Sequence, residues 1–325
     1  MPFNPVIIVA GPTASGKSAL ALDIAEALNG AVVNADAMQV YRDTPVLSAC
    51  PTAEDKARVP HYLYEIYEAD YSGSVADWLE AAVQIIRKLW QEEKVPVVTG
   101  GTGLYIDNLL NGTSPIPETS DEIKKQVAAQ LAAEDVRTLH RKLNEVDAET
   151  AARLSPNDTT RVRRAWEVYL STGMPLSEWH RRPMVKKLPE AEFLVIKIAP
   201  GVAELDRRCY QRFDMMLNGG AIDEARRLKA RGLSPRLPAM KALGVPEIMD
   251  YLDGKSDYET MNELGKLHTR QYAKRQRTWF GNKLNADLIL PGCYDGSEKI
   301  INDVKKMYKL LHKSSFGYKT SDNMS

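Results

Sequence analysis

An α/β fold, a parallel sheet flanked by helices with an all-helical insertion domain, is predicted by three observations in this chain of 325 residues. Short apolar runs alternate with helical patterns at both ends of the chain, the pattern of a parallel sheet. Residues 119–182 read as helices with no strand between them. Third, Gly11, Pro12, Thr13, Ala14, Ser15, Gly16, Lys17 and Ser18 match G-x-x-x-x-G-K-[ST] between an apolar run and a helical pattern. That context makes the sheet P-loop NTPase-like.

The first strand is Pro5-Val-Ile-Ile-Val-Ala10 and the first helix Ala19 to Leu28. Between them the glycines let the backbone fold around phosphate oxygens, and the helix adds the positive end of its dipole. Lys17 supplies a point charge to the outer phosphates and the Ser18 hydroxyl is a candidate Mg²⁺ ligand. ATP is the commonest ligand of such a loop, so nucleotide binding is one expectation.

A second strand, Gly30 to Ala35, leads into Asp36, at the carboxyl end where open parallel sheets bind ligands. The same residue suits a helix N-cap, and the two roles are compatible. Residues 44–74, with Pro45, Pro51 and Pro60, read as irregular. A helix follows from about Ser74 to Glu93, with Ser74 and Asp77 spaced as a capping pair. Val95-Pro-Val-Val-Thr99 is a third strand, ending in Gly100-Gly-Thr-Gly-Leu-Tyr105. P-loop NTPases place a metal-holding acid at such a strand end. Here Thr99 and glycines stand instead.

Helices are expected near 120–133, 135–145 and 147–153, and from the cap at Asn157-Asp158-Thr159 to Leu170, where Arg161 and Arg164 share a face. A strand at Glu192 to Ala199 resumes the sheet, and helices follow on both sides of Gly219-Gly220. A basic helix spans about 257–280: from Leu264 to Ala286 there are six Lys or Arg and no acid, with Tyr272, Trp279 and Phe280 interleaved. Such a mixture suits nucleic acid, cations meeting phosphates and aromatics stacking on bases. A last strand, Asp287 to Leu290, and a helix to about His312 complete the core. The domains are thus expected at 1–112 (first part of the core), 113–190 (insertion) and 191–312 (second part of the core), with a disordered tail at 313–325.

The zero net charge hides an asymmetry. Residues 1–110 carry 7 Lys or Arg against 14 Asp or Glu, the remainder 36 against 29. A basic rear half suits a polyanion larger than a P-loop ligand. Cys50, Cys209 and Cys293 are far apart, without C-x-x-C spacing, and read as reduced thiols of a cytoplasmic protein. The first strand lies almost at Met1, so no signal or transit peptide is expected, and no apolar run has the length of a membrane span.

With these pieces placed, the chain resembles the bacterial tRNA dimethylallyltransferase (tRNA isopentenyltransferase) family over nearly its whole length. The matching stretches are Gly11–Ser18, Asp36-Ala-Met-Gln-Val-Tyr41, Gly100–Tyr105, Ser155-Pro-Asn-Asp158, Gln211-Arg212 before Met216-Leu217, and Arg270–Gln276 leading to Thr278-Trp279. The resemblance implies transfer of a dimethylallyl group from its diphosphate to N6 of the adenosine 3′ of the anticodon. Asp36 occupies the family's general-base position, and Lys17 and Arg212 are implied as catalytic cations. The P-loop, with Mg²⁺ at Ser18, would hold the departing diphosphate and not the triphosphate of ATP. Contacts to the anticodon stem-loop are implied for Asp36, Ala37, Met38, Gln39, Thr102, Lys124, Thr160, Arg161, Val162, Arg163, Arg164, Lys241, Lys274, Arg275 and Arg277. The insertion and the basic helix would grip the stem-loop from two sides, and the enzyme would act as a monomer. Ala37 stands where the family commonly has Ser, Lys124 where some members have Arg, and Val245-Pro246 and Gly281 where Tyr-Arg and Arg are frequent.

Other readings are prenylation of free adenine nucleotides, phosphorylation of a small metabolite, and RNA binding without catalysis. The basic insertion and helix speak against the first, since a small acceptor needs neither. The absent strand-end acid speaks against the second, and the set Lys17, Ser18 and Asp36 against the third.

Overall fold

A computed structural model describes residues 3–317 of the chain. It divides into two compact units, one formed by residues up to Leu110 together with those from Leu188 onward, the other being Asn111–Lys187.

The larger unit begins with β1 (Pro5–Ala10), α1 (Lys17–Ala27), β2 (Gly30–Asn34), α2 (Pro45–Ser48), α3 (Ala53–Arg58), β3 (His61–Tyr62), α4 (Val75–Gln91), β4 (Val95–Gly100) and α5 (Gly103–Asn111). The insertion carries α6 (Asp121–Ala133), α7 (Val136–Val146), α8 (Ala148–Arg153), α9 (Thr159–Thr172) and α10 (Leu176–Arg181). The larger unit resumes with β5 (Glu192–Ile198), α11 (Val202–Asn218), α12 (Ala221–Ala230), a 3₁₀ turn at Ala239–Lys241, α13 (Val245–Leu252), α14 (Tyr258–Lys283), β6 (Leu288–Leu290) and α15 (Glu298–Gly317). No helix among the described residues is long and apolar enough to cross a membrane.

The six strands form one sheet in the order β3-β2-β4-β1-β5-β6, with every pairing parallel. All six residues of β1 are buried, as a central strand covered on both faces requires. The two-residue alternation divides them: Ile7 and Val9 pack with Leu20 and Ile24 of α1, Val6 and Ile8 with Trp78, Leu79 and Ile86 of α4. The loops after β1, β2 and β4, three neighbouring strands, therefore emerge side by side at one end of the sheet.

Several boundaries differ from expectation. Residues 44–74 hold two short helices and an edge strand. β3 pairs with β2 through Val32–His61 and Val33–Tyr62, a pairing two residues long and too short to show an alternation. The helix α4 starts on a full capping box, Ser74 Oγ accepting from Asp77 N–H while the Asp77 carboxylate accepts from Ser74 N–H. The inserted unit is Asn111–Lys187 and not 113–190, because Leu188 already belongs to the core of the α/β unit. The last helix continues past His312 to Gly317, with no proline or glycine to stop it sooner. Residues 318–325 of the expected disordered tail lie outside the described residues.

The insertion has its own core of Val127, Leu139, Leu143, Ala151, Val162, Ala165 and Trp166. Four of its five helices start on sequence-local caps: Ser120, Asp135, Asp147 and Asp158 each accept a backbone N–H three residues on, while α10 follows Pro175 without one.

Candidate active site

Between β1 and α1 the chain makes the left-handed turns a phosphate-binding nest needs. Gly16 has φ +87° and Ala14 φ +63°, the latter a conformation that costs an L-residue about 1–2 kcal/mol. A side chain at Gly16 would meet the backbone of Tyr294, whose N–H donates to Ser15 O at 3.0 Å. Tyr294 Oη donates in turn to Asp23 on α1 at 2.7 Å, so the segment after β6 braces the loop. Nothing in the sequence around Tyr294 announced this. Ser15 Oγ is buried with no hydrogen-bond partner among the described residues, an orphan that a phosphate oxygen would satisfy.

Lys17, the first residue of α1, is only 7% exposed and makes no hydrogen bond or ion pair among the described residues. Burial lowers its pKa to about 8, against the opposing pull of the Asp36 carboxylate and with a further push from Arg212. Arg212 on α11 is likewise lowered by burial and supported by Asp36; its one hydrogen bond among the described residues goes to Ser48 O at 3.4 Å. Arginine stays charged under such a shift. One buried and one half-buried cation thus lie within the field of one carboxylate. The site carries an excess of positive charge, which an anion relieves.

Asp36 sits just beyond β2, beside the glycine-rich turn. Asn34 holds that corner, its Oδ1 accepting from Asp36 N–H at 2.8 Å and its Nδ2 donating to Asp36 O and Leu63 O. Trp78 donates to Asn34 O at 2.7 Å and stacks on Tyr105 at 4.4 Å between ring centroids. Asp36 Oδ1 accepts from Met38 N–H at 3.0 Å, closing a turn, while Oδ2 faces Gly101 without a hydrogen bond among the described residues. The expected N-cap role is corrected: no helix begins at Asp36, the next in the chain being α2 at Pro45. Thr102 Oγ1 accepts from Ala37 N–H at 2.9 Å, and Thr102 N–H donates to Ala35 O. Thr99, where an acid was absent, donates its hydroxyl to Val9 O at 3.1 Å and ties β4 to β1.

Ser18, on the exposed first turn of α1, is the candidate metal ligand within the P-loop. The described residues contain no cluster of three or more His, Cys, Asp or Glu able to cage a metal. A lone hydroxyl suits Mg²⁺, which keeps waters and is carried largely by substrate phosphates. The residues fit a metal that arrives with a diphosphate.

The expected RNA contacts divide. Lys274 and Arg275 are exposed on α14 and line a groove with Thr278, Trp279, Asn282 and Lys283; Arg275 lies over the Tyr272 ring at 5.7 Å. Arg277 points elsewhere, into a pocket with Pro12, Ile198 and Phe280. Phe280 is core, so of the three interleaved aromatics only Tyr272 and Trp279 are accessible. Lys241 is exposed and Met38 half-buried.

Gln39 is corrected: it is buried and donates to Ser48 O and Ala49 O, so its amide is committed to the protein. Val162 is corrected too, being fully buried in the insertion core at three residues from Ala165. On the same helix Thr160, Arg161 and Arg163 are exposed, but Arg161 pairs with Asp158 at 3.1 Å and Arg163 with buried Glu167 at 3.0 Å. Arg164 donates to Thr119, and Lys124 pairs with Asp121 at 3.0 Å. The sequence reading missed Gln276, a buried residue of α14 that touches both the P-loop and the glycine-rich turn.

Comparison with known proteins bears on this geometry. Residues 39–283 match the sequence profile of a family described as IPP transferase. A tRNA dimethylallyltransferase of Bradyrhizobium sp. is 45% identical over 282 residues, which cover 87% of this chain and 92% of that protein. Among solved structures, the full-length tRNA isopentenylpyrophosphate transferase of Bacillus halodurans superposes with a TM-score of 0.69 at 32% identity, over 96% of this chain and 98% of that one. A eukaryotic dimethylallyltransferase acting on tRNA gives a TM-score of 0.81 at 26% identity, over 94% of this chain and 77% of that one.

Proposed function

The chain belongs to the IPP transferase family, and we propose that it moves a dimethylallyl group from dimethylallyl diphosphate to N6 of the adenosine 3′ of the anticodon in tRNA. The observation that carries this is a phosphate-binding loop with a buried Lys17 and a buried Ser15 hydroxyl unpartnered among the described residues, set with half-buried Arg212 within the electrostatic reach of a single carboxylate, Asp36.

An adenine amine is a weak nucleophile because its lone pair is delocalised into the ring. Transfer forms the bond from N6 to C1 of the allyl group and breaks C1–O, the electron pair leaving on the diphosphate. The N6 proton goes to Asp36, whose Oδ2 is free for it while Oδ1 holds the carboxylate in place. Lys17, Arg212, the Ser15 hydroxyl and the N–H groups at the start of α1 stabilise charge as it grows on the leaving diphosphate. Mg²⁺, when bound at Ser18, would neutralise part of the same charge. The target base must leave its stack to reach Asp36, at a cost of a few kcal/mol that an open loop reduces.

The nearest alternatives are separated by offering labelled dimethylallyl diphosphate with tRNA, with AMP, and offering γ-labelled ATP with tRNA. Label is expected in tRNA from the prenyl donor alone. Prenyl label on AMP at a comparable rate, or phosphate transfer from ATP, would overturn the assignment.

The groove on α14 is the natural seat for the RNA backbone. Replacing Lys274 and Arg275 together by alanine should weaken tRNA binding and make the slope of log K against log salt shallower by about 1–2, for up to two lost phosphate contacts. An unchanged slope would remove that helix from the interface.

A further inference from the structure

Gln276 is a polar side chain on the buried face of α14, in line with Thr269, Ala273 and Phe280. Its Oε1 accepts from Thr13 N–H in the P-loop at 2.8 Å, and its Nε2 donates to Gly101 O in the glycine-rich turn at 2.8 Å. The orientation of the amide is fixed by its partners, since one can only donate and the other only accept. Gly101 has no side chain where one would collide with Nε2, and it carries Asp36 Oδ2 on the same side, 3.2 Å from where a Cβ would stand. From Gly101 the connection continues through Thr102 Oγ1 to Ala37 N–H, next to Asp36. One turn further along α14, Trp279 packs over Gly103.

The β1–β4 ladder ends at Ala10–Gly100. Beyond it, no hydrogen bond among the described residues joins residues 11–18 directly to residues 101–103. One amide therefore spans the gap between the loop that would hold the leaving diphosphate and the turn that supports the base.

We infer that Gln276 is a positioning residue that holds the donor loop and the acceptor turn in register. The inference rests on the prenyl-transfer reading above. A displacement transfers a group between atoms that must meet at contact distance, and a misplacement of about 1 Å can cost about 10²-fold in rate. Trp279 lines the basic groove as well as packing on Gly103, so the helix that offers Lys274 and Arg275 to RNA is the one that sets this register.

The test compares wild type with Gln276→Leu and Gln276→Glu, measuring kcat, KM for tRNA, KM for the donor, and thermal unfolding. Gln276→Leu loses both bonds and is expected to lower kcat by about 10²-fold and raise the donor KM, with tRNA KM within about threefold. Gln276→Glu keeps an acceptor for Thr13 but cannot donate to Gly101 when ionised. It should lower kcat while sparing the donor KM, and it keeps the test available if the leucine variant does not fold. Wild-type kcat in either folded variant, a defect confined to tRNA KM, or losses that only track the unfolded fraction would overturn the inference. So would failure of both variants to fold, which would make Gln276 a structural residue. An inactive wild type would instead remove the prenyl-transfer reading itself.

Discussion

Asp36→Asn is expected to lower the single-turnover rate of tRNA prenylation by about 10²–10⁴-fold, the usual contribution of a positioned general base. The amide keeps the acceptor that Oδ1 offers to Met38 N–H, so the corner built on Asn34 should stand. What it loses is a group able to take the N6 proton as the new bond forms. The affinity for tRNA should stay within about threefold, because binding energy comes from many phosphate contacts elsewhere. Filter binding and single-turnover kinetics on the same preparation separate the two. A variant that binds tRNA poorly but reacts at the wild-type rate once bound would make Asp36 a positioning residue and contradict its role as base.

Lys17→Met should act in opposite directions on function and stability. A buried cation in the loop proposed to hold the leaving group is worth about 10²–10³-fold in rate, by analogy with a single oxyanion donor, and kcat/KM for the donor should fall by that amount. The folded protein without substrate, however, holds Lys17 in a dry site without a hydrogen-bonded partner among the described residues. Methionine fills similar space without a charge to desolvate, so unfolding should require about 1 kcal/mol or more of additional free energy. The pH dependence follows from the lowered pKa. Folded Lys17 gives up its proton near pH 8, whereas the unfolded chain keeps it to 10.5. Between those values the unfolded state binds more protons, so wild-type stability rises with pH relative to the variant. The stabilising effect of methionine is thus full below about pH 8 and gone above 10.5. Diphosphate binding restores the ammonium, so the donor should be bound with proton uptake near pH 8 and its KM should climb above that pH. Calorimetry in buffers of different ionisation heat measures the uptake; a donor KM flat from pH 7 to 9 would contradict the account.

The parts of the site that could be read from sequence are those whose spacing is itself the chemistry. The run Gly11–Ser18 needs strand, loop and helix in that order, and it has them as β1, the left-handed turns and α1. Asp36 follows an apolar run short enough to be a buried strand, which puts it at a carboxyl end. The insertion helix α9 starts at the cap read from Asn157-Asp158-Thr159, while those at Ser120, Asp135 and Asp147 emerge only in the structure. Long-range partners were invisible. Two N–H groups of α2 are satisfied by Glu224, 178 and 177 residues away, and β3 has two residues that pair only because β2 lies beside them. Contiguous motifs also conceal which side chain faces inward. Gln39 and Val162 lie within stretches that resemble RNA-contacting ones, yet one is spent on backbone carbonyls and the other fills the insertion core. Gln276 lies between Arg275 and Arg277 in the most basic run of the chain, and only its helical alignment with Ala273 and Phe280 marks it as buried. A polar residue on an apolar face was the signal to follow.

The most direct test of the central claim, that the P-loop serves a departing diphosphate while Asp36 serves an adenine amine, is a product balance. Unmodified tRNA, dimethylallyl diphosphate, Mg²⁺ and the protein are incubated without ATP. The digested RNA is then mapped by mass spectrometry alongside a measurement of released diphosphate. One prenyl group on the adenosine 3′ of the anticodon for each diphosphate released is the predicted result. Diphosphate released without prenylated RNA, or a product that forms only when ATP is supplied, would contradict it.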